Sequence, residues 1–493
     1  MEEITVNEIV EASGGRLLCG RPETPVEHIS IDSRTMKGND LFVPLIGEKV
    51  DAHRFIMQAI NAGAVAVFTS EHDQMEEEQS GGAAWIRVAD TKKALQSVGA
   101  WYRSRLNLPL IGVTGSVGKT TTREMISAAL SAGYQVYKTP GNHNSQVGVP
   151  ITLSEISSKD EVGVIELGMS EPGELTVIAR IAQVDMAVIT NIGLSHIEQL
   201  GTQDNIYLEK MSIQDGLKPG GILFLNGDDE WLKRTKARKG FSTVHYGLSE
   251  SCSYRAADVC TVDGYPSFTA VHGDERVPVR LQVMGAHQIL NALVALAVAD
   301  KSGVPMAEAA KALSQFTGFE GRQQIYREGG LTIIDDSYNA SPVSMKAAID
   351  ILVSMKPAKE MLASDETDGN EGEIWQPGKP AKQNLPPVEG RRIAVLADMK
   401  ELGEHAPQFH YEIGEYLAGL PVDMVVAYGE LAQEIARGIE AHTGGISIHR
   451  VSDKEELTAF LDRELKTGDS VLFKGSNSMK LGEVVKHVRQ YHH

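Results

Sequence analysis

Apolar and polar positions along the chain repeat in two registers. Short apolar runs at 110–113 (Leu-Ile-Gly-Val), 162–167 (Val-Gly-Val-Ile-Glu-Leu) and 186–191 (Met-Ala-Val-Ile-Thr-Asn) alternate with longer stretches of helical spacing. Buried strands alternating with helices predict a mainly parallel sheet covered on both faces, over about 89–318. The stretch 285–300 is apolar throughout and predicts a buried helix. The alternation restarts after about 319, with runs at 331–335, 392–396, 424–427, 447–449 and 470–473, as a second doubly wound, Rossmann-like unit. Ahead of both, residues 1–88 carry a helical pattern at 7–12 and strand patterns at 40–45 and 64–68, a small mixed unit. The fold class is therefore α/β with three domains, at 1–88, 89–318 and 319–493. The segment 356–389, rich in Pro, Gly, Glu, Asp and Lys, interrupts the third domain and reads as a mobile surface insertion.

One junction carries explicit chemistry. The run 110–113 leads into Thr114-Gly115-Ser116-Val117-Gly118-Lys119-Thr120, and a helical pattern follows from Thr121 to about 130. Strand, glycine-bearing turn and Lys-Thr opening a helix make a phosphate-cradling loop, in which backbone amides and a helix N-terminus face the phosphates. Lys119 is expected to reach the β- and γ-phosphates and Thr120 to offer its hydroxyl to Mg²⁺. The first glycine of the usual spelling falls at Val113. Ligands of such sheets sit beyond the carboxyl ends of the strands, which makes Glu166, Asn191 and His196 candidates to face phosphate and metal. His287, Gln288 and Asn291 cluster at the start of the apolar helix, where N-terminal capping and recognition of an adenine edge are both open. The absence of an Asn-Lys-x-Asp stretch argues against a GTPase. The polar stretches 30–34 and 47–53 could hold a ligand, although most loops of that composition are only solvated.

Composition narrows the partners. The 493 residues hold 47 basic and 66 acidic side chains, a net charge of −19, which disfavours nucleic acid and anionic membrane as partners. Cys19, Cys252 and Cys260 are an odd set without metal-ligand spacing and read as reduced thiols of a cytoplasmic protein. The acidic N-terminus has no signal-peptide pattern, and no apolar run is long enough to cross a bilayer. Residues alone support an NTP-dependent enzyme of several domains.

The central stretch resembles the Mur ligase family, whose phosphate loop has the short Thr-Gly-x-x-Gly-Lys-Thr form. Its marks recur at Asp32-Ser-Arg34, Thr139-Pro-Gly-Asn-His-Asn144, Glu166-Leu-Gly-Met169 and Thr190-Asn-Ile-Gly-Leu-Ser-His-Ile-Glu198. They continue with Gly321-Arg322, Asp335-Asp-Ser-Tyr-Asn-Ala-Ser-Pro342, Leu396-Ala-Asp-Met-Lys-Glu-Leu-Gly403 and Lys474-Gly-Ser-Asn-Ser-Met479. The third-domain signatures resemble the member that adds D-alanyl-D-alanine to UDP-N-acetylmuramoyl-tripeptide in peptidoglycan synthesis.

The resemblance implies ATP and Mg²⁺ as cofactors and an acyl-phosphate mechanism. It implies that 1–88 binds the UDP-sugar substrate, with Ser33 and Arg34 in that domain, and that Asn142 and Asn144 line the cleft. Thr120, Glu166, His196 and Lys210 resemble the metal set, Lys210 because a lysine at this spacing is carbamylated in the family. His287 and Asn291 resemble the adenine side. Arg322, Asp336, Tyr338 and Asn339 would close over ATP and the dipeptide, with Lys474, Gly475 and Ser476 helping to form the dipeptide pocket. A monomer is expected. On residue type alone Lys210 reads as a solvated helix lysine. Two other readings are a folate or amino-acid polymer ligase on the same central domain, and a non-catalytic ATP-dependent switch.

Overall fold

The computed structural model describes residues 2–262, 264–355, 390–442 and 445–492. The insertion expected at 356–389 lies outside the described residues. Among these residues the chain builds three main sheets, of five, nine and six strands in chain order.

The five-stranded sheet runs Arg16–Cys19, Ala84–Arg87, Ala64–Thr69, Asp40–Phe42, His28–Ser30, antiparallel only in its first pair. Its helix Val6–Ser13 starts at a capping box, in which Thr5 and Glu8 satisfy each other's backbone amides, and it ends at Gly14 with φ +66°. The helix Thr91–Arg105 buries Ala94, Leu95, Val98 and Tyr102 in the same core as Ile4, Leu41, Ala66 and Ile86. Its far end is fastened to the central unit. The Tyr102 hydroxyl donates to Ile156 O (2.8 Å), and the buried Arg103 donates through Nε to Ala182 O (2.8 Å).

In the nine-stranded sheet Leu110–Thr114 lies between Val162–Glu166 and Met186–Ile189, all parallel. The chain passes to one side of Leu110–Thr114 and then to the other, so the phosphate loop leaves the sheet where the strand order reverses. Every residue of Leu110–Thr114 and Val162–Glu166 is buried, as two-sided coverage requires. Beneath them the helices Lys119–Leu130 and Gln288–Lys301 share one core, with Met125, Ile126 and Leu130 beside Ala292, Ala295, Leu296 and Ala299. Burying each large aliphatic side chain there contributes about 1.5–3 kcal/mol. One part of this sheet departs from the strand–helix alternation. Tyr254–Val262, Tyr265–His272 and Glu275–Arg280 form an antiparallel ribbon at its edge. Tyr265–His272 alternates buried and partly exposed positions, a period-two signal too short to break the helical reading around it.

The six-stranded sheet runs Gln324–Glu328, Leu331–Asp336, Ser470–Lys474, Arg392–Ala397, Met424–Tyr428, Ser447–Val451, antiparallel only in its first pair. Among the described residues no helix is long and apolar enough to cross a membrane.

Candidate active site

The phosphate loop is built by backbone geometry that its sequence permits. Gly118 has φ +85° and the helix starts immediately after it at Lys119, two residues earlier than its periodicity suggests. Gly115 has φ +145°, and a Cβ there would sit 1.9 Å from Thr190 Oγ1, so a side chain cannot be accommodated. Thr190 and Asn191 hold the loop from the next strand end: Thr190 Oγ1 donates to Val117 O (2.6 Å), and Asn191 Oδ1 accepts from Val117 N (3.0 Å). Asn191, expected to face phosphate and metal, thus spends its amide on loop shape. Ser116 Oγ accepts from Gly193 N (2.8 Å), and Thr114 ends the strand fully buried. The Lys119 amine lies in the loop and donates to Gly115 O (2.9 Å); burial pushes its pKa down, opposed by the Glu166 charge.

Around the loop opens a cavity of about 500 Å³ whose walls include Gly118, Lys119, Thr120, Thr121, Asn142, Asn144, Glu166, His196, His287, Asn291, Arg322, Asp336, Tyr338, Asn339, Glu401 and Lys474. Glu166 Oε1 accepts from Asn144 Nδ2 (2.8 Å) and Oε2 meets Arg123 Nη1 (3.3 Å). Each carboxylate oxygen keeps lone-pair capacity, and with the Thr120 hydroxyl this hard oxygen set suits Mg²⁺. Arg123 neutralises Glu166 from the phosphate-loop helix and was not anticipated; a basic residue one turn inside that helix was the available signal.

Lys210, in the helix Gln203–Met211, is 1% exposed, which overturns the solvated reading of its residue type. Burial, with the Lys119 charge adding to it, pushes its amine well below the ordinary lysine range. It does not itself line the cavity. Burial of the amine disfavours its charged form.

The third unit reaches across the cleft to the phosphate loop and to His196. Arg322 Nη2 donates to Thr120 Oγ1 (3.3 Å) while its guanidinium stacks over Tyr338 at 4.2 Å, and its buried Nε has no hydrogen-bond partner. Glu401 Oε2 lies 2.7 Å from His196 Nδ1, close but off the direction of a regular hydrogen bond, and this contact holds the Glu401 carboxyl below its usual range. Glu401 falls inside the signature stretch 396–403 but was not singled out as a site residue. Nothing local marks it, because its partner is far away in sequence.

Capping does not explain the residues that open the apolar helix. Thr122 Oγ1 donates to Asn291 Oδ1 (3.0 Å), Asn291 Nδ2 to Gln288 Oε1 (2.9 Å), and Gln288 Nε2 to Gln323 Oε1 (2.7 Å). His287 Nε2 meets the same Gln323 oxygen (3.0 Å). These groups form an amide chain from the phosphate-loop helix to Gln323, a residue at φ +53° that leads into the third unit.

Several other predicted residues fall outside the cavity or away from ligand-facing positions. Lys474 does line it, but its amine is paired with Asp336 Oδ2 (2.5 Å) and donates to Asn339 O (3.0 Å). Ser476 is buried and holds the 398–401 loop, accepting from Lys400 N (2.9 Å), while Gly475 packs on Ala397 and Leu481, where a Cβ would clash. In the first unit a second groove of about 690 Å³ is lined by Asp32, Thr35, Lys37, Ile29 and Leu45 and, from the central unit, by Val147 and Ile151. Ser33 and Arg34 do not line it. Arg34 is turned onto Asp32 (2.6 Å) at the surface and draws the Asp32 carboxyl down to about 2. Asn142 and Ser145 line both cavities, so the groove and the phosphate-loop cavity adjoin.

Comparison with known proteins agrees with this layout. Family models match residues 25–103 (Mur ligase family, catalytic domain), 113–299 (Mur ligase middle domain) and 380–477 (Mur ligase, glutamate ligase domain). The chain is 36% identical over 485 residues to the UDP-N-acetylmuramoyl-tripeptide--D-alanyl-D-alanine ligase of Bacillus subtilis, covering 98% of this chain and 97% of that one. It is 27% identical to the enzyme of the same name from Escherichia coli, over 99% of each. Among solved structures it is similar to MurF from Acinetobacter baumannii, with a TM-score of 0.84, 28% identity and 99% coverage of each chain. It is also similar to the MurF ligase from Thermotoga maritima in complex with ADP, with a TM-score of 0.77, 26% identity and coverage of 95% and 98%. The chain belongs to the Mur ligase family, ATP-dependent ligases.

Proposed function

We propose that this enzyme joins D-alanyl-D-alanine to UDP-N-acetylmuramoyl-tripeptide at the expense of ATP, in the assembly of peptidoglycan precursor. The observation that carries this reading is the junction of the two cavities at Asn142 and Ser145. A substrate seated by its nucleotide end in the groove can extend a peptide arm past these residues to the phosphate loop. The relatives named above carry this activity in their names, and they align over nearly the whole chain.

In the proposed reaction the terminal carboxylate of the tripeptide attacks the γ-phosphorus of ATP, and ADP leaves. Lys119 and the loop amides offset the charge on the transferring phosphoryl oxygens. The acyl phosphate is then attacked at its carbonyl carbon by the neutral amine of the dipeptide. Inorganic phosphate departs and the amide forms, while the amine's proton passes to solvent or phosphate. Phosphorylation is needed because a carboxylate is a poor acyl donor. Arg322 stands over Thr120 from the third unit, where it would help to keep out water, which would otherwise hydrolyse the acyl phosphate.

Thr120, Glu166, His196 and a carbamylated Lys210 would hold Mg²⁺, which when bound supplies charge neutralisation to the phosphates. Carbamylation would convert the buried Lys210 amine to an anion, removing its repulsion with Lys119 and with the ion. His287 and Asn291 would lie on the adenine side, and Asp336, Tyr338, Asn339 and Lys474 on the dipeptide side. A monomer working in the cytoplasm is part of the same proposal. The test is ADP release with UDP-N-acetylmuramoyl-tripeptide, with and without D-alanyl-D-alanine. Sustained release is expected only with both, and release independent of the dipeptide would overturn the assignment.

A further inference from the structure

Both residues that meet across the cleft are held in an unusual backbone state. His196 has φ +63° and Glu401 has φ +64°, in the left-handed region that side-chain-bearing residues rarely adopt. Such strain persists only where the surroundings over-determine it. Around Glu401 they do. Met399 N donates to His410 Nε2 (2.8 Å), Lys400 N to Ser476 Oγ (2.9 Å), and Ala432 N to Asp398 Oδ1 (2.8 Å). The loop is therefore fixed to three other segments of the third unit, and it presents the Glu401 carboxylate to the central unit.

The other carboxylates in the cavity wall are already satisfied within or beside their own element. Glu166 is paired with Arg123 and Asp336 with Lys474, while Glu174 accepts from the Ser170 and Glu171 amides and from Gln146. Glu401 differs, because its partner His196 belongs to another unit of the fold. The contact is made through Nδ1 at 2.7 Å, with the carboxylate off the N–H direction, so that Nδ1 is close to the charge without a regular hydrogen bond, and a small rotation of the ring would complete one. An imidazole that donates its Nδ1–H to a carboxylate keeps the Nε2 lone pair free, which is the form that binds a metal ion. Such a carboxylate fixes both the tautomer and the ring orientation.

We propose that Glu401 is a positioning residue that orients His196 for metal coordination, so that seating of the third unit completes the metal centre. The proposal rests on the metal assignment of His196 made above. Its consequence is an order of events: the ion is bound with full strength only when the third unit, which would bring the dipeptide, is in place. Phosphoryl transfer is thereby tied to closure.

The test uses the full-length enzyme with Mn²⁺ in place of Mg²⁺, a non-hydrolysable ATP analogue and UDP-N-acetylmuramoyl-tripeptide. Glu401→Gly removes the carboxylate at a position where glycine is at ease, so folding is preserved. Its Mn²⁺ dissociation constant should rise about 10- to 100-fold, the usual effect of losing such a partner. The imidazole-nitrogen coupling in the pulsed electron paramagnetic resonance spectrum should be lost with it. Glu401→Gln, which still accepts the Nδ1–H without the charge, should lie between Glu401→Gly and the parent. Unchanged Mn²⁺ affinity and nitrogen coupling in Glu401→Gly would overturn the proposal. So would a nitrogen-15 spectrum placing the His196 proton on Nε2 in the parent enzyme. Dipeptide-dependent ADP release by the parent is a separate measurement, so failure of the ligase reading and failure of the Glu401 role are told apart.

Discussion

Replacing Lys474 with methionine tests whether the floor of the cleft is a buried ion pair or a free substrate-binding amine. Lys474 and Asp336 are register partners on adjacent parallel strands, and their side chains are 2% and 7% exposed. The amine lies 2.5 Å from the carboxylate and also donates to Asn339 O. Lys474→Met keeps most of the side-chain volume but strands the Asp336 carboxylate in a buried position. Breaking such a pair costs about 3–5 kcal/mol, whereas replacing both partners with neutral groups of similar size is close to neutral. For a unit of this size each kcal/mol shifts the melting midpoint by about 2–4 °C, so the single variant should lose roughly 6–20 °C. Asp336→Asn combined with Lys474→Met should recover most of that loss. Differential scanning calorimetry of the parent, the single and the double variant is the assay. A single variant melting within about 2 °C of the parent, or a double variant no more stable than the single, would refute the reasoning.

Three further outcomes are expected. Lys119→Ala should lower turnover on the order of 10³-fold or more with an unchanged melting midpoint, since among the described residues the amine donates only to Gly115 O within its own loop; near-normal turnover in a folded variant would remove the phosphate-loop assignment. Lys210→Ala should be nearly inactive and be partly restored by formate or acetate, and full activity without added carboxylate would end the carbamate assignment. Burial lowers the pKa of His287 and His410 from 6.5, so below that pH the unfolded chain takes up protons that the native fold does not. Their contribution to stability is then full above about pH 6.5 and lost as pH falls toward the folded values; denaturant midpoints that stay flat from pH 7 to 5 would contradict this.

The sequence by itself determined what is local. The apolar run 110–113, the glycines at 115 and 118, and Lys119 and Thr120 specify a strand, a turn and a helix start whose chemistry is complete within one loop. Glu166 was legible for a related reason, because the end of a buried parallel strand opens on the ligand side of the sheet. The resemblance to Mur ligases extended this to residues such as Arg322 and Tyr338, whose contacts cross the cleft.

Tertiary structure decided which polar groups are spent on the scaffold and which face the cleft, because that depends on neighbours remote in sequence. Asn191, Ser476 and Lys474 look equally available as residues, yet their bonds go to the phosphate loop, to the 398–401 loop and to Asp336. Lys210 has the residue type of a solvated helix lysine, and only the packing of the helix shows the amine out of water. The pairing of Glu401 with His196 is invisible to any local pattern, since the two residues follow strands of different sheets and meet only when the third unit is seated against the second. Periodicity reports which face of an element is buried; it carries no information about which charge waits on the other side of a cleft.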